Sequence, residues 1–155
     1  MTDQQQTQAP VPLPTVFIVD DDEDVRVMVR GVLHDVGYPT LEAMDGDTAL
    51  AVLQQHPTSL VVLLDILLPY MDGAALLGIV ARHPHLALHH AFVLMTGKPI
   101  VAFPVLRKLA QDLGAQILPK PFEVAHLLQA VAHAARTLAH SPSMGDPSSP
   151  ITESP

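Results

Sequence analysis

The sequence predicts an α/β fold, a parallel sheet with helices on both faces, and three observations carry that prediction. Short apolar runs alternate with amphipathic stretches five times between residues 15 and 140. One run, Leu60 to Leu64, is continuously apolar, as expected of a central parallel strand covered on both sides. Polar residues stand at the ends of four of the runs, where open α/β sheets gather ligands.

Taken in order, Val16 to Val19 forms the first strand. Val25, Met28, Val29, Val32, Leu33 and Val36 then share one face at helical spacing, and Gly37 with Pro39 ends that helix. Tyr38 to Ala43 is a weak second strand, placed at an edge by Pro39. Asp45 caps a helix carrying Ala49, Leu50 and Leu53, and Leu60 to Leu64 follows as the third strand. Gly73 to Arg82 reads as helix, Ala91 to Met95 as strand, and Pro104 to Leu113 as helix after a long loop forced by Pro99 and Pro104. Ala115 to Leu118 is a short last strand. The closing helix aligns Val124, Leu127, Leu128, Val131, Ala135 and Leu138.

A chain of 155 residues holds one domain with one full core. With 48% apolar residues but only 4% aromatics, that core is built from Leu, Val, Ile, Ala and Met. The Gln/Pro-rich residues 1–14 and the Ser/Pro-rich residues 141–155 are expected to be disordered tails around a folded unit at 15–140. Eight basic residues against sixteen acidic ones give a net charge of −8. No Lys/Arg cluster exists to displace counterions, which excludes nucleic acid as a direct partner. The absence of cysteine excludes disulfides, thiolate metal sites and cysteine nucleophiles. The N-terminus lacks a signal-like pattern and no apolar run reaches a membrane span, so a soluble cytoplasmic protein is expected, with no membrane partner. The apolar composition leaves a homodimer open.

The strand ends supply the chemistry. The first strand ends in Asp20 and Asp21, the third in Asp65, the fourth in Thr96, and the fifth is followed by Lys120. Converging carboxylates repel one another unless a cation joins them. Mg2+, or Mn2+ in its place, suits such oxygen donors, and would draw an incoming phosphoryl oxygen toward Asp65 as nucleophile. Thr96 offers a hydroxyl donor to that group and Lys120 a point charge.

Here the chain resembles the receiver domains of two-component response regulators. IVDDDEDVR (18–26), LLDILLPYMDG (63–73), LMTG (94–97) and PKPF (119–122) stand in the family's order and at about its spacing. The resemblance implies a flavodoxin-like (βα)5 fold with strand order 2-1-3-4-5, and Mg2+ held by Asp20, Asp21, Asp65 and the backbone carbonyl of Leu67. It implies a cis peptide between Lys120 and Pro121, and phosphoryl transfer from a histidine kinase or phosphotransfer protein. Output is then expected through an unidentified downstream protein docking on the helix after the fourth strand, the fifth strand and the closing helix, where Val105, Leu109 and Ile117 would be partly exposed. Leu67 and Lys98 flank the expected path of hydrolytic water.

The sequence departs from the family pattern in three places. Ile117 stands where an aromatic residue is usual, which removes the common Thr–aromatic switch. The stretch from Thr96 to Lys120 is slightly long and carries Pro99 and Pro104. No output domain is expected after it, and the resemblance is to a stand-alone receiver. Two rival readings follow from the same residues: a degenerate receiver that binds partners without being phosphorylated, and a Mg2+-dependent phosphohydrolase of the haloacid-dehalogenase type using Asp20 and Asp22.

Other polar residues have plainer readings. Asp22, Glu23 and Asp24 are read as helix-start residues. His83, His85, His89 and His90 are read as solvated loop residues in no i, i+4 helical pair, with no acid to complete a zinc site. Gly73 and Gly97 are read as points of tight backbone approach, with Gly97 also leaving room for a phosphoryl group.

Overall fold

In a computed structural model of the chain, which describes residues 12–140, the most apolar run lies at the centre of the sheet. The strands are β1 (Thr15–Val19), β2 (Thr40–Ala43), β3 (Leu60–Asp65), β4 (Ala91–Thr96) and β5 (Gln116–Pro119). All pairings are parallel and the order is β2-β1-β3-β4-β5, the flavodoxin-like arrangement that the resemblance implied. Every residue of β3 is buried, because β1 and β4 flank it and helices cover both faces.

The helices are α1 (Glu23–Asp35), α2 (Gly46–Gln55), α3 (Gly73–Ala81), α4 (Pro84–His89), α5 (Pro104–Leu113) and α6 (Val124–His140). The two-residue period of the strands sorts the core into two layers. Phe17, Val19, Val62, Leu64 and Leu94 meet α2, α3, α4 and α5 through Leu53, Leu76, Leu77, Leu86 and Leu106. Val16, Ile18, Val61, Leu63 and Met95 meet α1 and α6 through Val29, Leu33, Leu127 and Val131. Both layers are mainly aliphatic, with Phe17, Phe92 and Tyr38 as the buried aromatics.

The elements depart from expectation where prolines and buried anchors act together. The strict strand–helix alternation is broken by α4, an extra short helix before β4. Pro84 occupies its first turn, where a missing N–H is harmless, and Leu86 is buried beneath it. The helix therefore places His85 and His89 four residues apart on one element, and His90, at its end, is buried rather than solvated. Tyr38 is drawn out of β2 because its N–H donates to the Leu33 carbonyl at 3.0 Å, closing α1. After β4, a 3-10 turn at Ile100–Ala102 fills part of the expected loop, and α5 begins on Pro104.

Gly73 matches its reading, since a Cβ there would lie 2.6 Å from Ile66 Cα. Gly97 does not: a Cβ there would meet nothing within 4 Å, so no tight approach fixes that glycine. Gly37 ends α1 with φ +93°. The tails expected to be disordered lie, apart from residues 12–14, outside the described residues. Among the described residues, no helix is long and apolar enough to cross a membrane.

Candidate functional site

The C-terminal ends of the strands bring together residues up to a hundred positions apart. β1 runs out at Val19, so Asp20 and Asp21 emerge at the sheet edge, and β3 delivers Asp65 beside them. One carboxylate oxygen from each of the three lies within 4.8 Å of the other two. Asp20 is fully buried, Asp65 nearly so, and Asp21 is exposed. The pocket is thus hard, anionic and open to water on one side.

Backbone groups orient these carboxylates. The Asp22 N–H donates to Asp20 Oδ1 at 2.9 Å, and the Leu67 N–H donates to Asp65 Oδ1 at 3.0 Å. Asp22 itself is engaged as the N-cap of α1, its Oδ1 accepting from the N–H groups of Asp24 and Val25. Gly73 lets the loop after β3 close, with its N–H donating to the Ile66 carbonyl at 3.0 Å.

Lys120 reaches across from the end of β5. Its Nζ donates to Asp20 Oδ2 at 2.8 Å and to Asp65 Oδ2 at 3.3 Å. The Lys120 N–H also donates to the Thr96 carbonyl, and the Lys120–Pro121 peptide is cis, as the resemblance implied. Burial pushes Asp65 above its ordinary carboxylate pKa; the Asp20 charge adds to that, and the Leu67 N–H and Lys120 only partly oppose it. Burial works against the Lys120 ammonium, but the hydrogen bond to Asp20 and the charge of Asp65 outweigh it and raise its pKa.

Thr96 is buried at the end of β4, but its hydroxyl is turned onto its own loop. Oγ1 donates to the Lys98 carbonyl at 2.5 Å and accepts from the Lys98 N–H at 3.2 Å. Beside it, Gly97, Pro99, Ile100, Ile117 and Lys120 help line a cavity of about 410 Å3. Leu67, in the loop after β3, is exposed.

Two residues went unread in the sequence. Arg26, one turn into α1, donates from its guanidinium to the Asp20 carbonyl at 2.7 Å and pairs with Glu42 on β2 at 3.4 Å, bracing the strand end that carries Asp20. Its place in the DDDEDVR run was the only available signal. Tyr70, in the loop after β3, holds φ +68° with a fully exposed side chain. The neighbouring Pro69 marked a turn but not its handedness.

Residues 16–132 match the family model of the response regulator receiver domain. This chain belongs to that family. The receiver is 30% identical over 118 residues to the probable chemotaxis protein CheY of Rhizobium etli, covering 75% of this chain and 88% of that protein. It is 32% identical over 122 residues to the C4-dicarboxylate transport transcriptional regulatory protein DctD of Rhizobium meliloti, covering 78% of this chain but 25% of that protein. The chain therefore spans about a quarter or less of the length of DctD, of the NtrX protein of Azorhizobium caulinodans and of the sensor kinase CckA of Brucella abortus. Among solved structures, a putative response regulator from Chloroflexus aurantiacus superposes on the receiver with a TM-score of 0.65 at 32% identity, covering 83% of this chain and 99% of that one. A CheY-like receiver domain protein from Methanospirillum hungatei gives a TM-score of 0.66 at 28% identity, covering 80% and 96%.

Proposed function

We propose that this receiver is a phosphoacceptor switch that takes a phosphoryl group on Asp65 with Mg2+, or Mn2+ in its place. The observation that carries the reading is the convergence of three carboxylate oxygens within 4.8 Å, with the Lys120 ammonium bridging Asp20 and Asp65. The donor set fits a hard divalent cation: all oxygen, anionic, and exposed at Asp21 so that water completes the shell. Asp20, Asp21, Asp65 and the Leu67 carbonyl would hold it. When bound, the cation supplies charge neutralisation among the carboxylates and a Lewis-acid contact for a phosphoryl oxygen.

The chain's own groups divide the remaining work. An Asp65 oxygen attacks phosphorus, and the bond from phosphorus to the donor imidazole nitrogen breaks, the imidazole leaving with the electron pair. Lys120 passes from carboxylate to phosphoryl oxygen and stabilises the charge gathering there. Thr96 must release the Lys98 carbonyl to donate to the same group, and this rearrangement moves the loop after β4. Ile117 gives that motion an aliphatic neighbour in place of a rotating ring. The donor is a histidine kinase or phosphotransfer protein, the setting is the cytoplasm, and the folded unit is residues 15–140. The readout is a protein docking on α5, β5 and α6, where Val105 is exposed and Leu109 and Ile117 are half-buried. Charge reversal on that face that left partner binding intact would contradict the placement.

The phosphohydrolase reading loses its second aspartate, because Asp22 is committed to capping α1. A degenerate receiver would keep the fold and bind Mg2+ without phosphorylation. Intact-mass measurement after incubation with acetyl phosphate separates these readings. One phosphoryl adduct that requires Mg2+, disappears with EDTA and is absent in Asp65→Asn supports the switch. A folded protein that binds Mg2+ but gains no adduct supports the degenerate module.

A further inference from the structure

At the opposite end of the sheet, one buried side chain satisfies two backbone groups that their own elements cannot serve. Leu53 lies in the last turn of α2, and its carbonyl would normally accept from the residue four positions on. That residue is Pro57, which has no N–H. The next helical bond back is intact, His56 N–H donating to the Val52 carbonyl at 2.8 Å. The Leu53 carbonyl is instead met by His90 Nε2 at 3.0 Å, from thirty-seven residues away. The same ring, through Nδ1, accepts from the N–H of Leu60, the first residue of β3, at 3.1 Å.

The chemistry fixes the state of the ring. An N–H can only donate, so Nδ1 must be bare, and the single proton of the neutral imidazole sits on Nε2, directed at the Leu53 carbonyl. His90 is therefore a clip between the end of α2 and the start of β3, held from the head of β4. Protonation would set an N–H at Nδ1 against the N–H of Leu60 and place a charge in a site that is 4% exposed. The titratable groups facing the ring are His89 of α4, edge-on at 4.7 Å between ring centroids, and His56 at the end of α2. Among the described residues none of these histidines forms an ion pair with a carboxylate, so nothing nearby would compensate the charge.

We propose that His90 is an acid-releasable clip: neutral, it locks the α2–β3 connection, and on protonation it frees residues 53–60 while the Asp65 end of the sheet stays folded. Burial, reinforced by the neighbouring His89 and His56, brings its pKa down to about 4 against the Leu53 hydrogen bond, so release belongs to acid conditions. This inference stands on the packing at the foot of the sheet and not on the phosphoacceptor reading.

The test is an NMR titration of the full chain from pH 8 to pH 3, following the imidazole signals together with amide exchange. His90 should stay neutral and protonated on Nε2 through pH 5, titrating at least a unit below the ordinary histidine value of 6.5. As it charges, exchange at Leu60 should accelerate at least tenfold relative to amides of β4, after correction for the intrinsic pH dependence. His90→Gln offers one acceptor and one donor but cannot charge, and its Leu60 protection should be flat across the same range. The proposal is overturned if His90 charges near pH 6.5, if Leu60 stays protected once His90 is charged, or if a folded His90→Gln keeps the wild-type acid response. Should His90→Gln fail to fold, the wild-type titration decides alone.

Discussion

The two ends of the sheet solve opposite problems with similar residues. At the C-terminal end, Asp20, Asp21 and Asp65 are crowded together, Lys120 is shared between two of them, and Tyr70 holds a left-handed backbone. At the N-terminal end, His90 pairs two otherwise unserved backbone groups and leaves neither of its nitrogens idle. Charge repulsion and strain at the first end are what a site loses stability to, and a ligand can relieve them. Saturated hydrogen bonding at the second end is what a fold gains stability from. Substitutions that relieve charge or strain at the first end should therefore raise stability, and substitutions that empty the hydrogen bonds at the second should lower it.

The largest loss is expected at the saturated end. His90→Leu keeps the approximate shape but orphans the Leu53 carbonyl and the Leu60 N–H, and should lower unfolding free energy by about 2–4 kcal/mol in urea titrations at pH 7. Acetyl phosphate should still modify the folded fraction. A loss below about 0.5 kcal/mol would show that water serves those groups equally well.

Gly73→Ala is the next largest. Its Cβ would fall 2.6 Å from Ile66 Cα and 3.0 Å from the Asp65 carbonyl oxygen, which are backbone atoms that cannot step aside cheaply. A loss of about 1–3 kcal/mol is expected, and the displaced loop should also slow phosphorylation, read as the rate of adduct formation. Unchanged rate and stability would mean that the loop after β3 is looser than its geometry shows.

Gains are expected where a substitution relieves strain or charge at the crowded end. Tyr70→Asn removes no packing, since the ring is fully exposed, and puts a residue tolerant of φ > 0 where φ is +68°. It should raise stability by about 0.5–1 kcal/mol, measured by urea denaturation.

Asp65→Asn should give the smallest change, also a gain, because losing the Lys120 contact offsets part of the relief. Burial raises the pKa of Asp65, so the folded protein carries an unwelcome charge at neutral pH. The unfolded chain ionises first as pH rises, and stability falls between the ordinary carboxylate pKa of 3.8 and the higher folded value. In metal-free buffer the mutant should therefore melt higher than wild type at pH 7, with the gap closing as pH drops toward 3.8. A lower melting temperature for the mutant at pH 7 would show that the Lys120 contact dominates.

The crowded end was legible in the sequence and the saturated end was not, for a physical reason. Asp20, Asp21, Asp65, Thr96 and Lys120 each follow an apolar run, so their position at one sheet edge follows from strand direction alone. What the sequence could not carry was the rotamer of Thr96, which turns to Lys98, or the bridge from Lys120 to both carboxylates. The role of His90 depends on Pro57 failing as a donor and on Leu60 lying beside it, a relation across thirty residues with no periodicity to reveal it. The short helix α4 was hidden likewise: one buried leucine and a proline stabilise it, less than any helical pattern shows.

The most direct test of the phosphoacceptor role is to locate the phosphoryl group. The protein is treated with acetyl phosphate and Mg2+, reduced with borohydride, which converts an aspartyl phosphate to homoserine, and digested for peptide mapping. The expected result is conversion at Asp65 alone, absent when EDTA is present. Conversion at Asp20 or Asp21 instead, or an acid-stable phosphate on a hydroxyl side chain, would contradict it.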